Sequence, residues 1–341
     1  MKQTAVIIAP GRGTYNKGEL GYLARHHGAA DFRRPFDDYR TQLGQQSLSA
    51  LDEADRFSPG VHGRGDNASA LIYACGIGDF LALDRDRFDI LAVTGNSMGW
   101  YTALACAGAL SDLAGLEVAN TMGRLMQDSM VGGQMIYPLC DENWREVPGR
   151  RAEILGKINT INRQKDRFLA LSIDLGGMLV VAGNEAGLDA FEKAVPKLEG
   201  RFPMRLANHA GFHTRLQEPV SAKGFDALPR ALFQDPKLPL IDGRGAIWHP
   251  RSSDLEQLRR YTLGHQVTES YDFAAALRTA AREFMPDVFI LLGPGASLGG
   301  AVAQSLIKAG WRGLSGKEDF QAEPKRLLSM GLDAHRALCV T

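Results

Sequence analysis

The sequence predicts an α/β fold in which a parallel, helix-covered sheet carries a small α+β insert. Two observations lead to this class. Short apolar runs alternate with longer helix-forming runs towards both ends of the chain, the pattern of a parallel sheet whose strands are connected by helices. The middle of the chain instead holds several short strand-like runs close together, which is typical of a compact α+β unit.

The large unit is expected to contain both strands and packed helices. Its strands, each an apolar run that ends at a turn, are predicted at residues 4–9, 88–93 and 287–292. Its helices, each apolar enough to pack on a sheet, are predicted at residues 68–83, 101–110 and 113–130.

The α+β insert is predicted over residues 131–208, which leaves residues 1–130 and 209–341 for the large unit. Its strands are expected at residues 134–138, 168–173, 178–183 and 202–206, with a helix at 185–198. Residues 145–167 are rich in Arg and Lys. The default interpretation of such a charge run is a face in contact with solvent.

Residues 95–99, GNSMG, stand between a predicted strand and a predicted helix and form the pattern of a nucleophile elbow. The turn would hold Ser97 in a strained conformation that tolerates only glycine at positions 95 and 99. The helix that begins near Met98 would direct N–H groups and its positive end at an oxyanion. Ser97 is therefore the candidate nucleophile, and the flanking strand and helix make the short pattern informative.

A serine nucleophile needs a base, and the chain offers eight histidines. His213 lies directly after the last predicted strand of the insert, and His209 is its nearest competitor. Spacing alone does not choose between them, because nucleophile and base converge in space and not in sequence.

The composition limits the classes of partner. The formal net charge is zero, which argues against nucleic acid as a main partner. No run is long enough to span a membrane, and the N-terminal apolar stretch is too short for a signal peptide, so a cytoplasmic protein is expected. The four cysteines are scattered, and no Cys, His or carboxylate cluster has metal-ligand spacing, so neither a metal nor a bound cofactor is predicted.

Seven segments, in order, resemble the malonyl-CoA:acyl-carrier-protein transacylases and the acyltransferase domains of polyketide and fatty acid synthases. The resemblance extends from about residue 5 to residue 304, with a divergent stretch at 20–64. The segments are PGRG at 10–13, GNSMG and YTAL at 95–104, GRLMQ at 123–127, MLVVAG at 178–183, AGFH at 210–213, Gln266, and GPG at 293–295 followed by Leu298.

This resemblance implies an α/β-hydrolase-like large subdomain and a ferredoxin-like small subdomain, with the active site between them. Ser97 would attack the thioester of an acyl-CoA, His213 would be general base and then general acid, and Gln266 would help to fix the site. The backbone N–H groups of Arg12 and Met98 would form the oxyanion hole. The phosphopantetheine thiol of an acyl carrier protein would then take the acyl group from the serine in a ping-pong cycle.

Two departures from the family concern charge. Malonyl-specific members carry an arginine where this chain has Met122, and a thioether cannot pair with the free carboxylate of a malonyl group. This puts malonyl specificity in question. Arg12 replaces the family's glutamine, and its side chain could meet a substrate carboxylate from the other side, meet the phosphates of coenzyme A, or turn to solvent.

Other departures concern the shape of the acyl pocket. Asn96 replaces the histidine that precedes the nucleophile, and Gly211 makes the wall beside Phe212 small. Together with Met122, these residues favour a larger, apolar acyl group. The opposite interpretation takes residues 209–213 as the malonyl-type HAFH motif interrupted by Gly211, and the sequence leaves both open.

Three functions are compatible with these residues. The first is an acyltransferase that loads a carrier protein from an acyl-CoA. The second is an acyl-thioester hydrolase that uses the same Ser97–His213 pair, with water in place of the carrier thiol, as a proofreading activity. The third is a catalytically idle binding partner in a synthase complex, which the retention of Ser97, His213 and Gln266 argues against.

Overall fold

A computed structural model describes residues 2–341. Its strands, in chain order, are β1 (Gln3–Ala9), β2 (Phe88–Gly95), β3 (Gly133–Pro138), β4 (Leu169–Asp174), β5 (Met178–Gly183), β6 (Met204–Arg205), β7 (Leu240–Ile241), β8 (Ile247–Trp248), β9 (Tyr271–Asp272), β10 (Val288–Leu291) and β11 (Leu327–Ser329).

The α-helices are α1 (Tyr22–His27), α2 (Arg33–Gln42), α3 (Leu48–Asp52), α4 (Pro59–His62), α5 (Gly65–Leu81), α6 (Gly99–Cys106), α7 (Asp112–Asp128), α8 (Arg150–Ile161), α9 (Glu185–Ala194), α10 (Glu218–Ala227), α11 (Leu255–Arg260), α12 (Gln266–Thr268), α13 (Phe273–Glu283), α14 (Gly299–Lys308), α15 (Lys317–Ala322) and α16 (Asp333–Cys339). Within residues 2–341, every helix is too short or too polar to cross a bilayer.

The larger sheet has six strands in the order β11-β10-β1-β2-β7-β8. Neighbours from β11 to β7 pair in parallel, so the predicted α/β class is confirmed. The parallel prediction is wrong at β8, which pairs antiparallel with β7. A tight turn connects these two strands, with the Asp242 N–H bonded to the Ala246 carbonyl, and such a short connection allows only antiparallel pairing.

Strand β1 explains why the sheet is covered on both faces. Its alternate side chains Ala5, Ile7 and Ala9 belong to one buried cluster, together with residues of α5, α6 and α7. Val6 and Ile8 point to the opposite face and join residues of α13 and α14. A strand buried on both faces reads as a continuous apolar run rather than an alternating one, and this run was recognisable in the sequence.

The smaller sheet has five strands in the order β6-β3-β5-β4-β9. The four from the predicted insert pair antiparallel. The fifth, β9, comes from outside residues 131–208 and pairs in parallel with β4 through Ile173 and Tyr271. The large unit therefore contributes an edge strand to the sheet of the insert.

Helix α8 was not predicted, because the basic residues around it obscure its apolar side. That side consists of Ile154, Ile158 and Ile161, all buried, at the three- and four-residue spacing of a helix face. Arg151 pairs with Asp174 and also with Glu146, at 3.2 Å for the latter. Part of the positive charge of this stretch is thus neutralised within the protein.

A buried ionic network joins both ends of the chain beneath the larger sheet. Asp79 on α5 is fully buried and accepts hydrogen bonds from the Tyr22 hydroxyl at 2.8 Å, the Gly293 N–H at 2.6 Å and the Arg336 guanidinium at 2.5 Å. His27 Nε2 lies 2.9 Å from the same carboxylate. Three segments far apart in sequence, α1, the loop at Gly293 and α16, therefore bind one carboxylate of α5.

Candidate active site

Ser97 lies in a strained turn between β2 and α6. Its φ angle is +55°, a left-handed conformation that L side chains rarely adopt. A methyl group at Gly95 would collide with the backbone of Gly99, and one at Gly99 would collide with the Ala9 carbonyl. Both glycines are thus required by close approach, as the elbow pattern predicts.

The fold brings His213 and Gln266 to this serine. Ser97 Oγ lies 2.7 Å from His213 Nε2, and His213 Nδ1 lies 2.6 Å from the backbone carbonyl of Gln266. That carbonyl can only accept, so Nδ1 carries the proton and Nε2 is left to accept the serine proton. The side-chain amide of Gln266 also donates to the Ser97 carbonyl at 3.0 Å. The group is a Ser–His pair oriented by a main-chain carbonyl.

His209 makes a different hydrogen bond, to the insert and not to Ser97. Its Nδ1 lies 2.6 Å from the side-chain oxygen of Gln134 on β3. Burial, together with the charge of Arg12 and the proximity of His213, lowers the pKa of His209 to about 3. Of the two histidines that spacing left open, His213 is the one in hydrogen-bond contact with Ser97.

The two backbone donors expected at the oxyanion hole lie in the loop after β1 and at the start of α6. The loop after β1 runs so close to the elbow that a Cβ at Gly11 would lie 2.6 Å from the Asn96 carbonyl. Within residues 2–341, neither the Arg12 N–H nor the Met98 N–H is used in a hydrogen bond. Met98 immediately precedes α6, where N–H groups are unpaired by helix geometry.

A narrow cavity adjoins the serine hydroxyl. Its volume is about 20 Å³, room for about one water molecule. The residues that line it come from both chain segments of the large unit, 1–130 and 209–341, and are Arg12, Ser69, Ser97, Met98, Tyr101, Gly123, Met126, Phe212, His213, Gln266 and Val267. A larger groove of about 660 Å³ shares no lining residue with it. In the described chain, no group of three or more His, Cys, Asp or Glu residues is placed to hold a metal.

Comparison with known proteins finds relatives of one kind, although no family model matches the chain. A phenolphthiocerol-synthesis type I polyketide synthase of Mycobacterium marinum is 27% identical over 323 residues, which cover 90% of this chain and 14% of that protein. The malonyl-CoA–acyl carrier protein transacylase of Bacillus subtilis is 22% identical over 209 residues, which cover 61% of this chain and 62% of that protein. The chain thus spans less than two thirds of the length of either relative.

Solved structures share the fold over its whole length. The malonyl-CoA:acyl carrier protein transacylase of Xanthomonas oryzae superimposes with a TM-score of 0.77 at 19% identity and covers 100% of both chains. A malonyl-transacylase solved in complex with a type II polyketide synthase acyl-carrier protein gives a TM-score of 0.73 at 16% identity, covering 99% of each chain. The predicted resemblance to the transacylase and acyltransferase-domain family is confirmed.

Three residues expected in the acyl pocket lie outside the lining of the cavity. Met122, at the position of the arginine of malonyl transacylases, is fully buried, and its sulfur lies 2.8 Å from where a Cβ on Gly224 would be. Asn96 is part of the elbow, and its side-chain oxygen is buried without a partner among the described residues. Gly211 packs towards Leu216. Phe212 is the predicted pocket residue that does line the cavity.

The side chain of Arg12, where transacylases carry glutamine, turns inwards and not to solvent. Its Nη2 donates to the carbonyls of Asn208 at 3.0 Å and Gly63 at 3.3 Å. Its guanidinium carbon lies 5.2 Å from the centre of the Phe212 ring. Burial lowers the pKa of Arg12 to about 10, while the charge of Asp66 acts in the opposite direction. The group remains a cation at neutral pH, beside the nucleophile.

Two tyrosines support the site and were missed by sequence analysis. The Tyr271 hydroxyl donates to the Gly95 carbonyl at 2.5 Å, and its ring centre lies 5.5 Å from that of His213. The Tyr101 hydroxyl donates to the side-chain oxygen of Gln266 at 3.3 Å. Tyr101 belongs to a segment that resembles the family, so the sequence could have indicated its place near the site. Tyr271 lies in no such segment, and nothing in the sequence around it indicates a role.

Proposed function

We propose that this protein transfers an acyl group from an acyl-CoA to the phosphopantetheine thiol of an acyl carrier protein through an acyl-serine. The observation that carries the proposal is the 2.7 Å contact between Ser97 Oγ and His213 Nε2 in a nucleophile elbow. Relatives named as malonyl-CoA–acyl carrier protein transacylases support the choice of donor and acceptor. In this proposal the protein binds no cofactor of its own, and the phosphopantetheine belongs to the carrier.

The contacts of the site support each step. His213 Nε2 takes the serine proton as Oγ attacks the thioester carbon, and the free N–H groups of Arg12 and Met98 stabilise the oxyanion. The imidazolium then gives its proton to the departing CoA thiolate. In the second half the carrier thiol attacks the acyl-serine, and His213 acts again as base and then acid. Gln266 is a positioning residue, since it acts on His213 through its carbonyl.

The finer description of the fold belongs to the same proposal. We assign residues 1–130 and 209–341 to an α/β-hydrolase-like subdomain and residues 131–208 to a ferredoxin-like one. The chain order β3-α8-β4-β5-α9-β6 with the sheet order β6-β3-β5-β4 supports the second assignment, because it is the split βαβ arrangement. The parallel strands β1, β2 and β10 with helices on both faces support the first.

The pH dependence of acylation tests the role of His213. The neutral imidazole is the base, and burial lowers the pKa of His213 from 6.5 to about 4. We therefore expect kcat/KM for acyl-CoA to rise with pH through a midpoint near pH 4 and to be level from about one pH unit above that midpoint to neutral pH. CoA release is measured after brief jumps from pH 7 to each value. A midpoint near 6.5 would contradict a buried base.

The acyl-serine itself is tested by intact-protein mass after brief incubation with malonyl-, acetyl- and longer acyl-CoAs. The wild type is expected to gain the mass of one acyl group, located at Ser97 by peptide mapping, and Ser97→Ala is expected to gain none. Ser252→Ala, at an exposed serine, is the matched control and should be acylated like the wild type. Subsequent addition of a holo carrier protein should remove the adduct and place it on the carrier.

The hydrolase alternative predicts a different outcome of the same experiment. If water replaces the carrier thiol, free CoA accumulates without a carrier and no stable adduct is seen. Wild-type protein that neither gains mass nor releases CoA would contradict both activities with acyl-CoA donors. Acylation of Ser97→Ala at the wild-type level would contradict the assignment of the nucleophile.

A further inference from the structure

The cavity beside Ser97 is lined by a cation that has no ion-pair partner in the described chain. Within residues 2–341, no carboxylate lies within ion-pair distance of Arg12. Its Nη1 is buried and has no acceptor in the described chain. A buried guanidinium that lacks both an anion and one of its hydrogen-bond partners is costly for folding. A cation retained in this state has the properties of a binding group for an anion that is absent from the free protein.

The position of Arg12 restricts where that anion can be. Nη2 is held by the carbonyls of Gly63 and Asn208, and the guanidinium lies against Phe212. These contacts fix the plane of the guanidinium group and leave its Nη1 without a hydrogen-bond acceptor. Because Arg12, Ser97 and His213 line one small cavity, an anion bound by Arg12 within this cavity would lie beside the thioester under attack.

Two parts of an acyl-CoA carry negative charge, namely the phosphates of the nucleotide and, in dicarboxylic acyl groups, a free carboxylate. The whole pantetheine arm separates the phosphates from the thioester carbon. A free carboxylate on a short acyl chain lies only a few bonds from that carbon. The shared cavity therefore favours the acyl carboxylate, which Nη1 can bind through a charge-assisted hydrogen bond.

We infer that Arg12 is the specificity-determining residue that binds the free carboxylate of a short dicarboxylic acyl group, from the β1 loop and not from α7. This inference rests on the proposed function, since it concerns the acyl group held at Ser97. Met122 contributes no charge and packs against Gly224. The anion-binding role is thus carried by a different element of the fold.

The test compares malonyl and acetyl loading of Ser97 in the same protein preparation, by intact mass at early times. In Arg12→Gln, which introduces the residue of the family, the ratio of malonyl to acetyl loading is expected to fall about 10- to 100-fold. Arg12→Lys keeps the charge without the fork and should give an intermediate ratio. Because the ratio is internal to one preparation, a loss of folded protein cancels.

Arg34→Gln is the matched control, because Arg34 is an exposed arginine that pairs with Asp38 at 3.8 Å and does not line the cavity, and it should keep the wild-type ratio. The experiment is repeated with malonyl- and acetyl-pantetheine, which lack the nucleotide phosphates. The same fall in ratio with pantetheine thioesters supports the inference.

The remaining outcomes separate the inference from the function on which it rests. A ratio in Arg12→Gln within twofold of the wild type overturns the inference and leaves the acyl-serine intact. Equal losses of malonyl and acetyl loading from CoA thioesters, absent with pantetheine thioesters, also overturn it and assign Arg12 to the CoA phosphates. Wild-type protein that loads neither group contradicts the proposed function instead.

Discussion

Replacing His213 with alanine is expected to slow acylation of Ser97 by about 1,000- to 10,000-fold, because the serine loses the base that removes its proton. Ser97 Oγ has no second base among its hydrogen bonds in the described residues, since His213 Nε2 is its one partner there. The rate is measured as CoA release in the first turnover. Binding of acyl-CoA should change far less, because the imidazole acts in the chemical step.

Two further variants make this result specific. His249→Ala removes an exposed imidazole and should leave the rate unchanged. His209→Ala removes the neighbour that bonds Gln134 and should have a smaller effect than His213→Ala, through the shape of the site. A rate for His213→Ala within tenfold of the wild type would mean that another group accepts the serine proton.

Replacing Asp79 with asparagine is expected to lower the free energy of unfolding by about 3–5 kcal/mol, because it leaves a buried cation without its partner. Arg336 has a side chain only 9% exposed, and its ion pair is with Asp79. The amide also loses acceptor capacity needed by Tyr22, His27 and the Gly293 N–H. Thermal and denaturant unfolding of both proteins measure the difference.

Asp89→Asn provides the control for this prediction. Asp89 is exposed on β2, so the change should stay within about 0.5 kcal/mol of the wild type. A loss of less than about 1 kcal/mol in Asp79→Asn would mean that the network is replaced by water or by rearranged donors. Acylation by folded Asp79→Asn should persist, since none of the four partners lines the cavity at Ser97.

The elements that sequence predicted well are those whose signal is local. The apolar runs of β1 and β2 indicate strands that are buried on both faces. The glycines at 95 and 99 indicate positions where another part of the backbone comes too close for a side chain. The elbow was therefore predictable to the residue. The two-residue strands β8 and β9 were not, because a strand of that length exists only through its partner.

The site residues that could be predicted are those in segments that resemble the family. Ser97 and His213 are 116 residues apart, so the fold and not the spacing brings them together, and the resemblance supplied that information. It could not supply the inward turn of the Arg12 side chain, which depends on the carbonyls of Gly63 and Asn208. Nor could it show that the Met122 side chain packs against Gly224 and does not line the cavity.

The strand β9 limits how the site can open. Tyr271 pairs with Ile173 in the smaller sheet and at the same time holds the Gly95 carbonyl at the end of β2. Five residues earlier in the chain, Gln266 anchors the imidazole. A hinge that swung the insert away from the elbow would pull on this tether and misalign the base. The edge of the insert that carries β4 and the end of β2 are therefore expected to move together, if either moves at all.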